Sequence, residues 1–209
     1  DLSGFDWVLS SESGPAKGVL VPPGVPHLCY CHSPMRYLYE LRGVYEARLG
    51  PLGRAVFPAT GHLLRPWDYV GAQRLTAIAA NSAYVGERVR RWWNRECEVI
   101  HPPVDVDDYA DEGDEGYYLV VSQLVPYKRV DLAVDAFKRL ELPLVVAGDG
   151  PELARLRARA GARTRFLGPV PQAELRRLYG RCRAFVFPGI EDFGIAPVEA
   201  NASGKPVLA

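Results

Sequence analysis

Two glutamates, Glu191 and Glu199, are held in the stretch Phe187-Pro188-Gly189-Ile190-Glu191-Asp192-Phe193-Gly194-Ile195-Ala196-Pro197-Val198-Glu199-Ala200. The run 184–187 is short and apolar and reads as a buried strand, which Pro188 and Gly189 break. Residues 195–202 read as a helix, with Gly204 just beyond it as a stop signal. Glu191 therefore falls in a strand-to-helix loop and Glu199 inside the helix. Gly194 lets a ligand come close to the backbone. It also precedes a helix N-terminus, whose first N–H groups have no partner within the helix. Carboxylates on either side of exposed N–H groups suit a polyhydroxylated ligand, because hydroxyls both donate and accept. The spacing alone equally describes an ordinary strand–turn–helix with two surface glutamates.

Lys128 and Arg129 fall at the head of a helix expected over 129–140. A cation there opposes the helix dipole, and a bound diphosphate would reverse that penalty. Without such a ligand both are solvated first-turn side chains. His32 is one of four histidines and closes a short strand over 27–31; a lone histidine in that place is more often structural than catalytic. Arg36 follows, and Glu40, one helical turn on, is placed to pair with it. Asp105-Val106-Asp107 matches the short Asp-x-Asp metal pattern, but two residues in an acidic stretch carry little weight. Trp92-Trp93 amid Arg88, Arg90, Arg91 and Arg95 suits a lipid surface or, more commonly, packing with snorkelling arginines.

The elements that must position these residues form two series. In the first, strands are expected over 5–10, 27–31, 76–80 and 98–101. A short helix starts over 11–17, and a longer one fits 36–49 through Tyr37, Leu38, Leu41, Val44 and Tyr45. Residues 56–75 read as one or two helices, broken near Pro58 and Pro66. Asn81-Ser82 caps an amphipathic helix over 83–94. Residues 105–116 are acidic, lack an apolar period and read as an exposed linker between a unit over 1–104 and another over 117–209. In the second series, strands over 117–121, 143–147, 165–167 and 184–187 alternate with helices over 129–140, 151–160, 172–180 and 195–202. Val207-Leu208 opens a further strand.

That alternation means an α/β fold with a parallel sheet covered on both faces. Ligands bind outside the carboxyl ends of such strands. The rule collects the loops 122–128, 148–151, 168–170 and 188–194 on one edge of the second unit. His32 lies at the same kind of edge in the first, and the two edges are expected to face each other across a cleft. The last strand stops after two or three residues, and the first unit has few strands for a doubly wound domain. Both units therefore read as incomplete and the chain as a central fragment.

Lysine plus arginine equals aspartate plus glutamate, 25 of each, so net charge gives no push toward nucleic acid or membrane. No apolar run approaches the ~20 residues of a membrane span, and the first residues do not read as a signal peptide. Cys29, Cys31, Cys97 and Cys182 form neither a disulfide framework nor a zinc pattern. Reduced, buried thiols in a cytoplasmic protein are expected.

The Glu191–Glu199 stretch resembles the Glu-x7-Glu motif of the family 4 retaining glycosyltransferases, which have the GT-B fold. Three other segments resemble the same family, in its order: Tyr30-Cys31-His32-Ser33-Pro34-Met35-Arg36-Tyr37, Leu124-Val125-Pro126-Tyr127-Lys128-Arg129-Val130-Asp131 and Gly148-Asp149-Gly150-Pro151-Glu152-Leu153. The resemblance implies two Rossmann-like units facing a cleft. By it, Lys128, with Arg129 beside it, binds the diphosphate of a nucleotide-sugar donor, and Glu199 accepts hydrogen bonds from the ribose. Glu191 contacts the transferred sugar, helped by the N–H groups around Phe193, Gly194 and Ile195. Val170, after Gly168-Pro169, borders the nucleobase or simply packs. His32 matches the family's histidine near the anomeric carbon, and Arg36 positions the acceptor or braces its loop. Where the family commonly has an arginine five residues before the lysine, this chain has Gln123, which leaves Lys128 and Arg129 to neutralise the charge. Family members also begin with a longer strand–helix series bearing a glycine-rich loop and continue past the position of Ala209.

The enzyme so implied moves a hexose to a hydroxyl of a glycan or lipid-linked acceptor, retaining anomeric configuration and using no metal or other cofactor. The motifs look most like those of polysaccharide mannosyltransferases, which favours GDP-mannose as donor. It would act in the cytoplasm or at the inner face of the membrane, with peripheral membrane contact left open. The rival readings are a non-catalytic nucleotide-binding module and an inactive fragment of the enzyme.

Overall fold

The computed structural model describes residues 2–209 and divides between Pro102 and Pro103 into two units. Among the described residues of the first unit, four short strands pair in parallel in chain order: β1 (Val8–Glu12), β2 (His27–Cys31), β3 (Ala77–Ala80) and β4 (Glu98–Val99). The register sets Glu12 beside Cys31 and Cys31 beside Ala80, so His32 and Asn81 leave the sheet at the same edge. The helices are α1 (Arg42–Glu46), α2 (Pro51–Gln73) and α3 (Ala83–Trp93). Cys29, Cys31, Ile78 and Ala80 meet Ala72, Val85, Val89 and Trp93 in the core. Ser82 caps α3 as expected, its Oγ accepting from the Val85 N–H at 3.1 Å.

The strand expected over 5–10 lies at Val8–Glu12, and the short helix expected from 11–17 is reduced to a 3-10 turn at Ala16–Gly18. Three further features of this unit depart from the sequence expectation. The helix over 36–49 shrinks to α1, and turns occupy the residues before it. Met35 and Leu38 are both buried, and this inward packing of the loop wins over the helical period. By contrast, α2 runs 23 residues straight through Pro58 and Pro66. The carbonyls these prolines leave without a donor belong to Arg54 and His62, both exposed, where water serves them. Finally, Glu40 pairs with Arg88 at 2.6 Å rather than with Arg36. Trp92 stacks on Tyr39 at 4.6 Å between centroids, and Trp93 is fully buried. Both indoles are thus used in packing, not held out for lipid.

A charged cluster lies inside the same unit. Lys17, in a short 3-10 turn (Ala16–Gly18), and Asp68 of α2 are fully buried, and Glu12 of β1 nearly so. The Lys17 ammonium sits 2.5 Å from Asp68 Oδ1 and 3.0 Å from Glu12 Oε1. Asp68 Oδ2 accepts from Tyr39 Oη at 2.8 Å and Trp93 Nε1 at 2.7 Å.

The second unit alternates as expected, with ends shifted by a residue or two. Its elements are β5 (Tyr118–Val121), α4 (Val130–Leu140), β6 (Leu144–Ala147), α5 (Leu153–Arg159), β7 (Thr164–Gly168), α6 (Gln172–Arg181), β8 (Ala184–Val186), α7 (Ile195–Ala202) and β9 (Val207–Leu208). The sheet order is β7-β6-β5-β8-β9, and every pairing is parallel. Successive residues feed opposite faces. Val120, Leu144, Val146 and Val186 pack with α4 and α5, while Leu119, Val145 and Phe185 pack with Tyr179 of α6 and Ala200 of α7. This two-sided burial is why the strands read as unbroken apolar runs.

Residues 105–116 are mostly exposed, yet they are strapped to this unit rather than free. Lys205 donates to Asp111 Oδ1 at 2.5 Å, Arg181 to Glu112 at 2.8 Å and Arg183 to Asp114 at 2.9 Å. The acidic run complements basic residues far along the chain, which no local period reveals. Tyr109, within it, is buried. All four cysteines are free thiols, and burial pushes Cys29 and Cys182 up to about 11. Among the described residues no helix is long and apolar enough to cross a membrane.

Candidate active site

At the carboxyl edge of the second sheet, the loops after β5 and β8 come into contact. The loop after β5 closes in a 3-10 turn (Pro126–Lys128), and Arg129 then takes a left-handed conformation, φ +52°, to start α4. Lys128 is thus the last residue of that turn rather than part of α4. The loop after β8 passes beneath it through Gly189, where a Cβ would lie 2.7 Å from the Lys128 carbonyl oxygen. Only glycine permits that approach. It carries Glu191 to Lys128, and the two side chains form an ion pair, each about one-fifth exposed. Lys128 Nζ also lies 5.6 Å from the centroid of the Tyr127 ring. Gly189→Ala is expected to separate the loops. It should cost roughly 1–2 kcal/mol in stability, read by denaturation. An unchanged stability would show that the contact is dispensable.

Beyond Glu191 the chain turns through Gly194, φ +86°, which is the N-cap of α7. Ile195 and Ala196 open the helix, and Pro197, in its first turn, has no N–H to leave unpaired. Two first-turn N–H groups therefore point out of the helix beside Phe193 and Gly194. Glu199 stands one turn further in, half-buried. Its Oε1 accepts from Tyr109 Oη at 2.6 Å, and Tyr109 Oη in turn accepts from Gln172 Nε2 at 3.0 Å. Burial first, and then Glu199, push the Tyr109 hydroxyl up to about 12, so it stays a donor at neutral pH. Tyr179, fully buried against the same carboxylate, is raised further for the same two reasons.

The other expected residues are distributed as follows. Arg129 is exposed and turned to Asp131, its Nε 3.2 Å from Oδ1. Val170 is half-buried in the loop between Gly168, φ +74°, and α6. Gln123 is exposed in the loop after β5. In the first unit, His32 follows β2 directly. Its N–H donates to the Glu12 carbonyl at 2.7 Å, its Nε2 lies 2.9 Å from Ser11 Oγ, and its ring meets Tyr30 edge-on. Arg36 is half-buried in the turns that follow, its carbonyl accepting from the Leu41 N–H at 2.9 Å. The structure thus joins Lys128 to Glu191 and sets Glu199 in the neighbouring helix. It adds Tyr109 and Gln172, which the sequence reading passed over.

A parallel sheet thus gathers acidic, basic and amide groups at its carboxyl edge, and the fold is of the GT-B glycosyltransferase type. The chain superposes on sucrose-phosphate synthase from Thermosynechococcus elongatus with a TM-score of 0.72, covering 98% of this chain and 55% of that one at 17% identity, a likeness of fold alone. Residues 105–209 match the family glycosyl transferases group 1, and the chain belongs to that family. Among curated proteins it is 33% identical over 151 residues to the D-rhamnosyltransferase WbpZ of Pseudomonas aeruginosa, covering 63% of this chain and 40% of that one. It is 30% identical over 166 residues to the GDP-mannose-dependent alpha-mannosyltransferase of Mycolicibacterium smegmatis, covering 77% of this chain and 44% of that one. The chain spans about two-fifths of the length of these relatives.

Proposed function

We propose that this chain is part of a retaining glycosyltransferase that moves a hexose from a nucleotide-diphosphate sugar to a hydroxyl of a glycan or lipid-linked acceptor. The observation that carries the reading is the meeting of Lys128 with Glu191 at the carboxyl edge of the sheet, beside the amide end of α7. Lys128 holds the diphosphate, with the first-turn N–H groups of α7 supplying further donors, so that no metal is required for charge neutralisation. Glu191 accepts from the sugar hydroxyls and Glu199 from the ribose. His32 is assigned to the sugar and Arg36 to the acceptor loop. The bond from C1 to the leaving phosphate oxygen breaks, the acceptor oxygen bonds to C1 on the same face, and its proton passes to the departing phosphate. Mannose carried by GDP is the favoured donor, supported by the likeness to the GDP-mannose-dependent alpha-mannosyltransferase of Mycolicibacterium smegmatis. Action at the inner face of the membrane belongs to this proposal.

Calorimetric titration of GDP, UDP and ADP into the intact protein tests the reading, with GDP expected to bind tightest and GDP-mannose to be turned over. Absence of binding by all three would remove the site. The two glutamates are expected to separate in the same assay. Glu199→Gln should weaken free nucleoside diphosphate about tenfold, as for loss of a hydrogen bond to a charged group. Glu191→Gln should spare free nucleotide and slow transfer. Equal loss of nucleotide affinity in both variants would show that the roles are not divided this way.

A further inference from the structure

Tyr109 belongs to an acidic segment with no apolar period, yet it is buried and its hydroxyl ends on a candidate ligand-binding carboxylate. We infer that Tyr109 is a positioning residue for Glu199, fixing the carboxylate plane in which ribose hydroxyls are received; this rests on the ribose reading above. Four observations support it. The Tyr109–Glu199 hydrogen bond is short, 2.6 Å, and spans 90 residues of sequence, so local chain geometry does not impose it. Gln172, the first residue of α6, donates to Tyr109 Oη at 3.0 Å, which leaves the phenol proton to point at Glu199. The ring is itself held. It packs edge-on against Tyr179 at 6.0 Å, and the Arg176 guanidinium lies 5.8 Å from its centroid. Arg176 in turn pairs with Asp108, the neighbour of Tyr109.

A carboxylate offers about four acceptor positions on two oxygens. A side chain on a helix can rotate its carboxylate freely unless something holds it. One donor on Oε1 sets the plane, and the remaining acceptor positions then point in defined directions. Diol recognition needs that definition, because two adjacent hydroxyls must both find an acceptor within hydrogen-bond reach. Tyrosine supplies it with a rigid ring and a donor that stays protonated across the neutral range.

Tyr109→Phe keeps the ring and removes the hydroxyl. The readout is the ratio of affinities for GDP and 2′,3′-dideoxy-GDP, and for UDP and its dideoxy analogue, measured by calorimetry on the intact protein. The wild type is expected to favour the ribonucleotide at least tenfold. Glu199→Gln should bring that ratio close to one, and Tyr109→Phe should lower it to about threefold while binding of the dideoxy nucleotide stays unchanged. A purely structural role would weaken both nucleotides alike. Gln172→Leu, an exposed site whose change leaves the ring packing intact, should lower the ratio about twofold and serves if the phenylalanine variant folds poorly. If Glu199→Gln keeps the wild-type ratio, or the wild type shows none, the ribose reading falls and the positioning role with it. If Glu199→Gln loses the ratio but Tyr109→Phe and Gln172→Leu keep it, the positioning role alone is overturned.

Discussion

Lys17→Met is expected to destabilise the first unit by about 3–5 kcal/mol, the usual effect of removing one partner from a buried ion pair. For a unit of this size that corresponds to a fall of more than about 12 °C in its unfolding midpoint. The reason is what stays behind. Glu12 and Asp68 are buried with their carboxylates turned to the ammonium, and without it two negative charges would face each other in the core. Tyr39 and Trp93 still donate to Asp68, but neutral donors do not cancel a charge. Burial lowers the Lys17 pKa, while Asp68 and then Glu12 raise it by more, so it stands above the ordinary lysine value. A cation raised in the folded state adds stability that is complete below its unfolded value, ~10.4, and fades as pH climbs past it. The gap between wild type and Lys17→Met should therefore hold from pH 7 to 10 and narrow above. Neutralising the cluster together, as Lys17→Met with Glu12→Gln and Asp68→Asn, should recover much of the loss. Denaturant unfolding of all three proteins checks this; a loss under 1 kcal/mol in the single variant would show that the charges reach water.

The parts of this fold that could be read from the sequence are those specified locally. Leu144, Val145, Val146 and Ala147 form one buried run because both faces of the sheet are covered, and Gly194 marks the start of α7 because its φ is positive. What was missed depends on partners remote in sequence. Pro58 and Pro66 suggested breaks, but the carbonyls they strand face water at Arg54 and His62, and packing carries α2 through. Tyr37, Leu38 and Leu41 carry a helical period, yet Met35 and Leu38 turn inward and the chain takes separate turns. Lys17 falls in a stretch, 11–17, that reads only as the start of a short helix, since nothing near it in sequence announces Asp68. Tyr109 sat among aspartates and glutamates whose basic partners come some 70 to 90 residues later. In the candidate site, the resemblance supplied Lys128, Glu191 and Glu199 as separate roles. The structure contributes their physical connection, the ion pair made possible by Gly189 and the hydroxyl that holds Glu199.

Lys128→Met should weaken nucleoside diphosphate binding by roughly ten- to 150-fold, the worth of about 1.5–3 kcal/mol for a charge-assisted contact with phosphate. Methionine keeps most of the lysine stem, so packing against Tyr127 and the Gly189 loop is preserved and the change reports on charge. Stability should fall little, because the Lys128–Glu191 pair is partly open to solvent and such pairs contribute modestly. The pair also shapes the energetics of binding. In the structure Glu191 already occupies the lysine's charge, and an incoming diphosphate must compete with that carboxylate. Two negatively charged groups then share one cation, since Arg129 is turned to Asp131. Glu191→Gln is therefore expected to leave free-nucleotide affinity intact or raise it, even as transfer slows. Gln123→Arg, placed in the loop after β5, should raise affinity in the wild type and recover part of the loss in Lys128→Met, because it supplies a second cation at the same sheet edge. Titration of GDP into the wild type, the three single variants and the Lys128→Met/Gln123→Arg double variant at low and moderate salt reads all of these outcomes, with the wild-type advantage over Lys128→Met shrinking as salt screens the charge. An affinity unchanged by Lys128→Met would remove the diphosphate from this edge of the sheet, and the division of roles between Glu191 and Glu199 would go with it.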